Sequence, residues 1–126
     1  MDAFVYGTLR DPERARELLG HAEFGADVRL CGLRRVEGRY PTLAPGGATE
    51  GRVLRLRDGD LEALDAYEGV DRGLYVRVRV PGDPGPLWTY VGDPDRLGAG
   101  VTWPGPGPLR RRVERYVDAN DVRVAS

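Results

Sequence analysis

Hydrophobic and polar residues alternate along several short stretches of the chain, as they do in strands that pack one face on a core. The alternation is clearest over residues 74–80, where a leucine and three valines share one face and a tyrosine and two arginines share the other. A turn over residues 81–85 follows, which makes residues 87–91 the antiparallel partner. The same patterns predict further strands at 3–6, 26–32 and 51–56.

Two helices are marked by residues that begin and end helices. Asp11 stands before a proline, which predicts a helix from Pro12 through Leu18–Leu19 that ends at Gly20. Asp60 is expected to cap a second helix, which runs from Leu61 to Glu68 and is closed by a glycine.

Other stretches show neither the alternation that is typical of a strand nor the period that is typical of a helix. Residues 40–47 contain Tyr-Pro and Pro-Gly-Gly, which predicts a loop. After Gly92 the pattern is irregular, and Trp103–Pro108 is rich in proline and glycine before a third predicted helix over 109–117. Short strands outnumber helices, so we expect one α+β domain over residues 1–126 with a mostly antiparallel sheet, and its closure into a barrel stays open.

Composition excludes several kinds of chemistry. With 19 basic and 20 acidic side chains, the net charge is −1, so we expect no binding to nucleic acid or to an anionic membrane. Lysine is absent, which excludes lysine bases and Schiff bases. Cys31 and His21 are each the sole residue of their type, so a disulfide within the chain and a His/Cys metal cluster are excluded. No apolar stretch approaches the length of a membrane span, and a cytoplasmic protein is expected.

Glu68 stands out as a carboxylate on the apolar side of its predicted helix. At about 100° per residue it falls between Leu61 and Leu64, whereas Glu62 points away. Burial and the negative end of the helix dipole would both disfavour the charged form and raise the Glu68 pKa. A carboxyl with a raised pKa suits proton transfer near neutral pH. The alternative is a frayed helix end that leaves the side chain in water.

The segment from Tyr6 to Leu9 links the first strand to the first helix. A turn of this kind exposes several backbone N–H groups in one place and could hold a carboxylate or an oxyanion without a charged side chain. On local grounds alone, a purely structural turn at Gly7-Thr8 is the simpler interpretation.

Three segments, in their order along the chain, resemble those of a known family. Residues 4–10 (Phe-Val-Tyr-Gly-Thr-Leu-Arg) are similar to an N-terminal Tyr-Gly-Ser-Leu signature, with Thr8 where serine is usual. Tyr40-Pro41 with residues 51–53 resembles a middle section, and residues 64–77 resemble a segment that bears a catalytic glutamate. The family is the γ-glutamyl cyclotransferase-like family, which includes AIG2-like proteins, and the resemblance covers roughly residues 3–92.

That resemblance implies a small mixed β-barrel with flanking helices, and an enzyme that needs no cofactor or metal. The loop of Tyr6, Gly7, Thr8 and Leu9 would bind the α-carboxylate end of a γ-glutamyl group through backbone N–H groups, and Glu68 would be the general acid–base residue. The reaction would convert a γ-glutamyl amine, amino acid or peptide into 5-oxoproline and a free amine. Tyr75 is expected to line the same pocket, because the opposite face of its strand carries the core valines.

Two other functions stay open at this point. One is a non-catalytic module that binds a small carboxylate, although such a module has no reason to keep Glu68 beside its ligand. The other is a structural protein with a relic pocket. A homodimer is also left open, with the Trp103–Pro108 segment and the basic helix after it as candidates for the contact or for a wall of the leaving-group pocket.

Overall fold

The computed structural model describes all residues, Met1–Ser126, which form one six-stranded sheet and four helices. The strands are β1 Asp2–Val5, β2 Phe24–Val36, β3 Thr42–Arg55, β4 Tyr75–Val80, β5 Leu87–Gly92 and β6 Arg123–Ala125. The helices are α1 Pro12–Leu19, α2 Asp60–Glu68, α3 Pro94–Leu97 and α4 Leu109–Ala119, with 3₁₀ turns at Thr8–Arg10 and Val70–Arg72. None of these helices has both the length and the apolar character needed to cross a membrane.

The sheet is mixed, with the strand order β4-β5-β1-β3-β2-β6. Only β1 and β5 run parallel, and every other neighbouring pair is antiparallel. The sheet curls into a half-barrel, and its two edges approach each other where Val124 N–H donates to Pro81 O over 2.8 Å. The predicted α+β class and mostly antiparallel mixed sheet with flanking helices are confirmed.

Both faces of the sheet are covered, and alternation along β4 assigns its residues to different sides. Val78 and Val80 belong to a core cluster that includes Trp103 and residues of α4. Tyr75 belongs to a second cluster, with Leu64 of α2 and residues of α1 and β1. The predicted face assignment is therefore confirmed from Tyr75 to Val80 but is wrong for Leu74, which precedes the strand and packs in the second cluster with Tyr75. It turns the tyrosine towards α2, the helix that bears Glu68.

The loop predicted at residues 40–47 is wrong from Thr42 onwards, because β3 begins there and pairs with an extended β2. Thr42 lies opposite Val36 and Pro45 opposite Leu33. The Pro-Gly-Gly sequence is a bulge inside a long hairpin rather than a loop, since Gly46 and Gly47, both at positive φ, face a single residue of β2. Turn residues at a bulge look the same in sequence as turn residues in a loop.

Smaller differences concern the helices and the chain end. Asp60 is the first residue of α2 rather than its cap: Gly59 is the cap, and the Asp60 carboxylate instead accepts from Arg57 N–H. The stretch after Gly92, expected to be irregular, contains α3, whose cap is Asp93. Strand β6 was also not expected, because three residues are too few to show a period. By contrast, Asp11 caps α1 as predicted, accepting from Glu13 N–H over 3.0 Å.

Candidate active site

A cavity of about 410 Å³ opens where β1 ends, between the 3₁₀ turn, α2 and the start of β4. It contains all six residues nominated from the sequence, namely Tyr6, Gly7, Thr8, Leu9, Glu68 and Tyr75. The rest of its wall is formed by Phe4, Val5, Arg14, Tyr40, Pro41, Leu64, Tyr67, Arg72, Leu74 and Tyr90. The structure thus brings the predicted residues together, although they come from segments far apart in sequence.

The segment Tyr6–Leu9 leaves the sheet abruptly and turns into α1. Arg10 N–H donates to Gly7 O and Asp11 N–H to Thr8 O, which closes the 3₁₀ turn with the donors at its far end. Thr8 and Leu9 begin this turn, so their own N–H groups have no acceptor within it. The Gly7 N–H donates to no group of the protein. The loop therefore keeps backbone donors free beside the cavity.

Glu68 is the last residue of α2 and is fixed there by the helix end. Gly69 follows in the left-handed conformation (φ 70°), which stops the helix and lets its N–H bond back to Ala66 O. Leu64, one turn earlier, is fully buried, while Glu62 is exposed. Glu68 shares the inward side with Leu64 and is half-buried, as the helical pattern predicted.

The Glu68 carboxylate has no hydrogen-bond donor and no ion-pair partner among the residues of the chain. Burial raises the pKa of Glu68 from 4.5 to about 7. The contribution expected from the helix dipole stays a prediction, because burial alone accounts for the shift. A carboxyl group with this pKa is present in both protonation states near neutral pH, which is what a group that accepts and returns a proton requires.

Three tyrosines surround Glu68 and remain protonated. Burial first, and then neighbouring negative charge that includes Glu68, raises the pKa of Tyr6, Tyr75 and Tyr90 above the ordinary value. The Tyr6 hydroxyl donates to Tyr90 O and the Tyr75 hydroxyl to Pro41 O, each over 2.6 Å. Both hydroxyl protons thus take part in hydrogen bonds within the protein, and these bonds fix the two rings as walls of the cavity. Glu68 is the residue of the cavity whose pKa lies near neutrality.

Tyr90 is also tied to the helix that bears Glu68. Its hydroxyl donates to Asp65 Oδ1 over 2.7 Å, and Arg77 Nη1 contacts Asp65 Oδ2 at 2.9 Å. Asp65 lies one helical turn before Glu68, so these contacts from β4 and β5 hold the end of α2 against the sheet. Nothing in the sequence pairs Asp65 with these two residues.

The pocket mouth contains four residues that sequence analysis did not select. Tyr67 bonds the Thr8 hydroxyl, with 2.9 Å between the two oxygens, and so bridges α2 and the loop. Tyr40 and Tyr67 are among the few large hydrophobic side chains left exposed. Arg14 and Arg72 add positive charge to the rim. Two of the four were indicated by their position, since Tyr67 and Tyr40 fall inside two of the three segments that carry the family resemblance.

A second, larger cavity of about 630 Å³ lies on the other side of the same loop and contains no hydrophobic residue. It shares Gly7, Thr8 and Arg14 with the first cavity but does not include Glu68. Its three exposed acids all have partners: Asp27 and Glu50 are paired with arginines, and Asp11 caps α1. Size alone would favour this cavity, yet the first has the apolar walls and the unpartnered carboxyl that chemistry on a small molecule requires.

Comparison with known proteins agrees with this geometry. A family model described as γ-glutamyl cyclotransferase, AIG2-like matches residues 3–104, a range that includes the whole cavity. The chain belongs to this family. The resemblance noted in the sequence is thereby confirmed.

Relatives of this chain include plant and bacterial proteins. AIG2-like protein C of Arabidopsis thaliana is 38% identical over 110 residues, which cover 77% of this chain and 64% of that protein. A solved structure named γ-glutamyl cyclotransferase has a TM-score of 0.63 at 18% identity, covering 95% of this chain and 87% of its own. Protein ytfP of Escherichia coli has a TM-score of 0.55 at 30% identity, covering 74% of this chain and 83% of its own.

These comparisons fix the family and the fold. They do not assign a role to any residue, so the catalytic role of Glu68 and the binding roles of Tyr6, Gly7, Thr8, Leu9 and Tyr75 stay predictions that rest on position and chemistry.

Proposed function

We propose that the protein is a cyclotransferase that converts a γ-glutamyl amine, amino acid or peptide into 5-oxoproline and a free amine. The observation that supports this most strongly is the half-buried, unpartnered Glu68 with a pKa of about 7 beside a loop with free backbone donors. The family membership supports the same reaction class.

The reaction needs little from the protein because the nucleophile belongs to the substrate. The α-amine attacks the γ-carbonyl carbon, a C–N bond forms, and a five-membered ring closes. Holding the substrate folded in a cavity of about 410 Å³ makes this attack effectively intramolecular and well oriented. Neither a protein nucleophile nor a cofactor is required in this scheme.

Proton transfer is the task for Glu68. The amine arrives as an ammonium group and must lose one proton before its lone pair can attack, and the Glu68 carboxylate accepts it. The protonated Glu68 then donates to the leaving nitrogen as its C–N bond breaks. The ring nitrogen still carries one extra proton, which passes to the released amine and leaves with it as an ammonium group. Glu68 is then a carboxylate again, as it was at the start.

Negative charge gathers on the γ-carbonyl oxygen when the amine attacks, and the substrate's α-carboxylate also needs partners. The N–H groups at the start of the 3₁₀ turn, from Gly7 to Leu9, are the donors that we assign to the substrate's oxygens. Fixed backbone donors stabilise developing charge without having to reorganise. The Thr8–Tyr67 hydrogen bond holds this loop close to α2 and hence to Glu68.

The alternative of a non-catalytic carboxylate binder accounts less well for the site. Without a proton to transfer, an unpartnered carboxyl beside an anionic ligand only weakens binding by repulsion. A relic pocket is also less well supported, since the cavity is open rather than filled by side chains.

The test is release of 5-oxoproline from a panel of γ-glutamyl amines, amino acids and peptides by the wild type and by Glu68→Gln. The amide cannot shuttle the proton, so we expect turnover by the wild type and a loss of about 10²–10⁴-fold in the variant. Turnover that survives in Glu68→Gln would contradict the assigned role.

The chain offers a matched control in Glu62→Gln. It makes the same chemical change on the same helix, at an exposed position outside the cavity. We expect its turnover to equal that of the wild type. If the wild type releases no 5-oxoproline from any member of the panel, binding of glutamate and of 5-oxoproline, followed by calorimetry, would then test the carboxylate-binding module directly.

A further inference from the structure

Arg35 contacts the loop of Tyr6 to Leu9 from outside the cavity. It lies on β2 opposite Leu43, near the end of the β2–β3 hairpin, and it lines neither of the two cavities. Its Nη1 donates to Tyr6 O over 2.7 Å, and its Nε donates to Glu37 Oε2 over 2.9 Å. The guanidinium is thus held between a carboxylate of its own hairpin and the carbonyl group that precedes Gly7.

The Tyr6 carbonyl has no other hydrogen-bond partner within the protein. Strand β1 ends at Val5, and no backbone N–H donates to Tyr6 O. The next carbonyl along the chain is different, since Gly7 O accepts from Arg10 N–H within the 3₁₀ turn as well as from the Arg10 side chain. Arg35 is therefore the one group of the chain that bonds to the Tyr6–Gly7 peptide.

The same peptide contains one of the free donors of the loop. The Tyr6–Gly7 bond is trans, so its C=O and N–H point in opposite directions. A contact that fixes the direction of Tyr6 O hence fixes the direction of Gly7 N–H. Gly7 supplies no restraint of its own, because a glycine backbone turns freely and no atom lies within 4 Å of the position of a Cβ.

The contact also makes the N–H a better donor. Hydrogen bonds from a charged guanidinium are stronger than those between neutral groups. A carbonyl that accepts such a bond polarises its peptide, which strengthens the bond that the N–H of that peptide can donate. An effect of Arg35 on a bound molecule would thus pass through the peptide, without contact between the guanidinium and the molecule.

We infer that Arg35 is a positioning residue, which orients and polarises the Tyr6–Gly7 peptide so that Gly7 N–H binds an oxygen of the substrate. This inference rests on the proposed function, because it names the group that holds one of the donors assigned to the substrate there.

The kinetic test uses Arg35→Met, which keeps a long side chain but removes its donors and its charge. We expect KM for the fastest γ-glutamyl substrate to rise by about tenfold, the usual loss of a charge-assisted contact, and kcat to change by less than about threefold. Arg35→Lys can still donate to Tyr6 O and should recover part of the loss. A merely structural contact would lower stability in urea and leave KM unchanged.

Arg34→Met is the matched control. Arg34 is the neighbouring residue on the same hairpin, and its Nη1 donates to Pro45 O rather than to the loop. This variant removes the same charge at an exposed position, where solvent ions screen it, so its KM should stay within about twofold of the wild type. A rise in KM equal to that of Arg35→Met would overturn the inference, because general attraction of an anionic substrate would then account for both variants.

A second measurement follows the peptide itself and needs no turnover. Tyr6-Gly7 is the only Tyr-Gly pair in the sequence, so protein labelled with ¹³C′-tyrosine and ¹⁵N-glycine contains a single doubly labelled peptide. Its HNCO cross-peak should move in Arg35→Met, stay in place in Arg34→Met, and move in the wild type when glutamate is added. A cross-peak that does not move in Arg35→Met would show that the guanidinium does not hold this peptide.

The outcomes distinguish the inference from the proposed function. Turnover by the wild type with an unchanged KM in Arg35→Met would overturn the inference and leave the proposed function intact. If the wild type has no turnover but binds glutamate, the proposed function falls, and the Kd for glutamate replaces KM in the same comparison of variants. If glutamate does not move the cross-peak either, Gly7 N–H has no ligand and the inference falls as well.

Discussion

The two ends of helix α2 each bear a buried or half-buried carboxylate, and the two carboxylates differ in their hydrogen-bond partners. At the N-terminal end, Asp60 is buried and accepts from two donors, His21 Nε2 at 2.8 Å and Arg57 N at 2.7 Å. At the C-terminal end, Glu68 is half-buried and the protein gives it no donor at all, so its pKa rises to about 7.

The difference separates a structural carboxylate from a reactive one. A partnered carboxylate contributes to folding through the hydrogen bonds that it accepts. An unpartnered one costs stability when ionised, and that cost is what makes it ready to take a proton. Judged by burial alone, Asp60 would be a better candidate for the reactive carboxylate than Glu68. The hydrogen bonds and ion pairs of the two residues reverse that order.

The largest expected effect concerns turnover. Glu68→Gln should lower 5-oxoproline release by about 10²–10⁴-fold while Asp60→Ala, measured at a temperature where it is folded, stays close to the wild type, because only Glu68 moves a proton. Initial rates normalised to folded protein by circular dichroism provide the measurement. If turnover fell as far in Asp60→Ala as in Glu68→Gln, the distinction between a structural and a reactive carboxylate would be wrong.

The next effect is on stability and its dependence on pH. The pKa of Glu68 is raised from 4.5 to about 7 in the folded state. Between these values the folded protein holds more protons than the unfolded chain, so this group makes stability fall as pH rises. We expect Glu68→Gln to exceed the wild type by on the order of 2–3 kcal/mol near pH 8 and to match it near pH 4.

Urea unfolding of the two proteins at both pH values would measure this difference, with Glu62→Gln as the control that should track the wild type. A Glu68→Gln variant that is less stable than the wild type near pH 8 would mean that the carboxylate has a partner after all.

Asp60 should behave in the opposite sense. Asp60→Ala removes the acceptor for His21 and for the Arg57 N–H, and the histidine is nearly buried, with its other ring nitrogen already unpartnered. We expect a loss of about 1–3 kcal/mol in the free energy of unfolding near pH 7. Unchanged stability, measured by the same urea titration, would show that this end of the helix does not depend on the pair.

The smallest effect is expected at the loop. A Cβ at Gly7 meets no atom within 4 Å, and its φ is negative, so a side chain would enter open space without backbone strain. Gly7→Val should therefore leave stability nearly unchanged and raise KM by about tenfold, by crowding the N–H donors. Gly100→Val, at an equally open glycine outside the cavity, is the control. A lowered melting temperature with normal KM would make Gly7 a structural residue.

Much of this site was predictable from the sequence because its key features are local. The period of α2 alone turned Glu68 inward, and the strand alternation turned Tyr75 to the opposite side from the core valines. The loop from Tyr6 to Leu9 was recognisable because a strand, a glycine and a capped helix follow one another within a few residues. Hence the six predicted site residues do meet in one cavity.

What the sequence could not supply are contacts between distant segments. His21 and Asp60 are 39 positions apart, and no periodicity links them. Likewise, Gly46 and Gly47 read as a loop because the strand that forces them into a bulge lies in another part of the chain.

The most direct test of the account is a titration of the Glu68 carboxyl itself, by ¹³C NMR of protein labelled at glutamate, with the resonance assigned by its loss in Glu68→Gln. We expect a midpoint near pH 7 for Glu68. A midpoint near 4.5 would contradict it, because a glutamate with an ordinary pKa would be neither desolvated nor prepared to exchange a proton with the substrate.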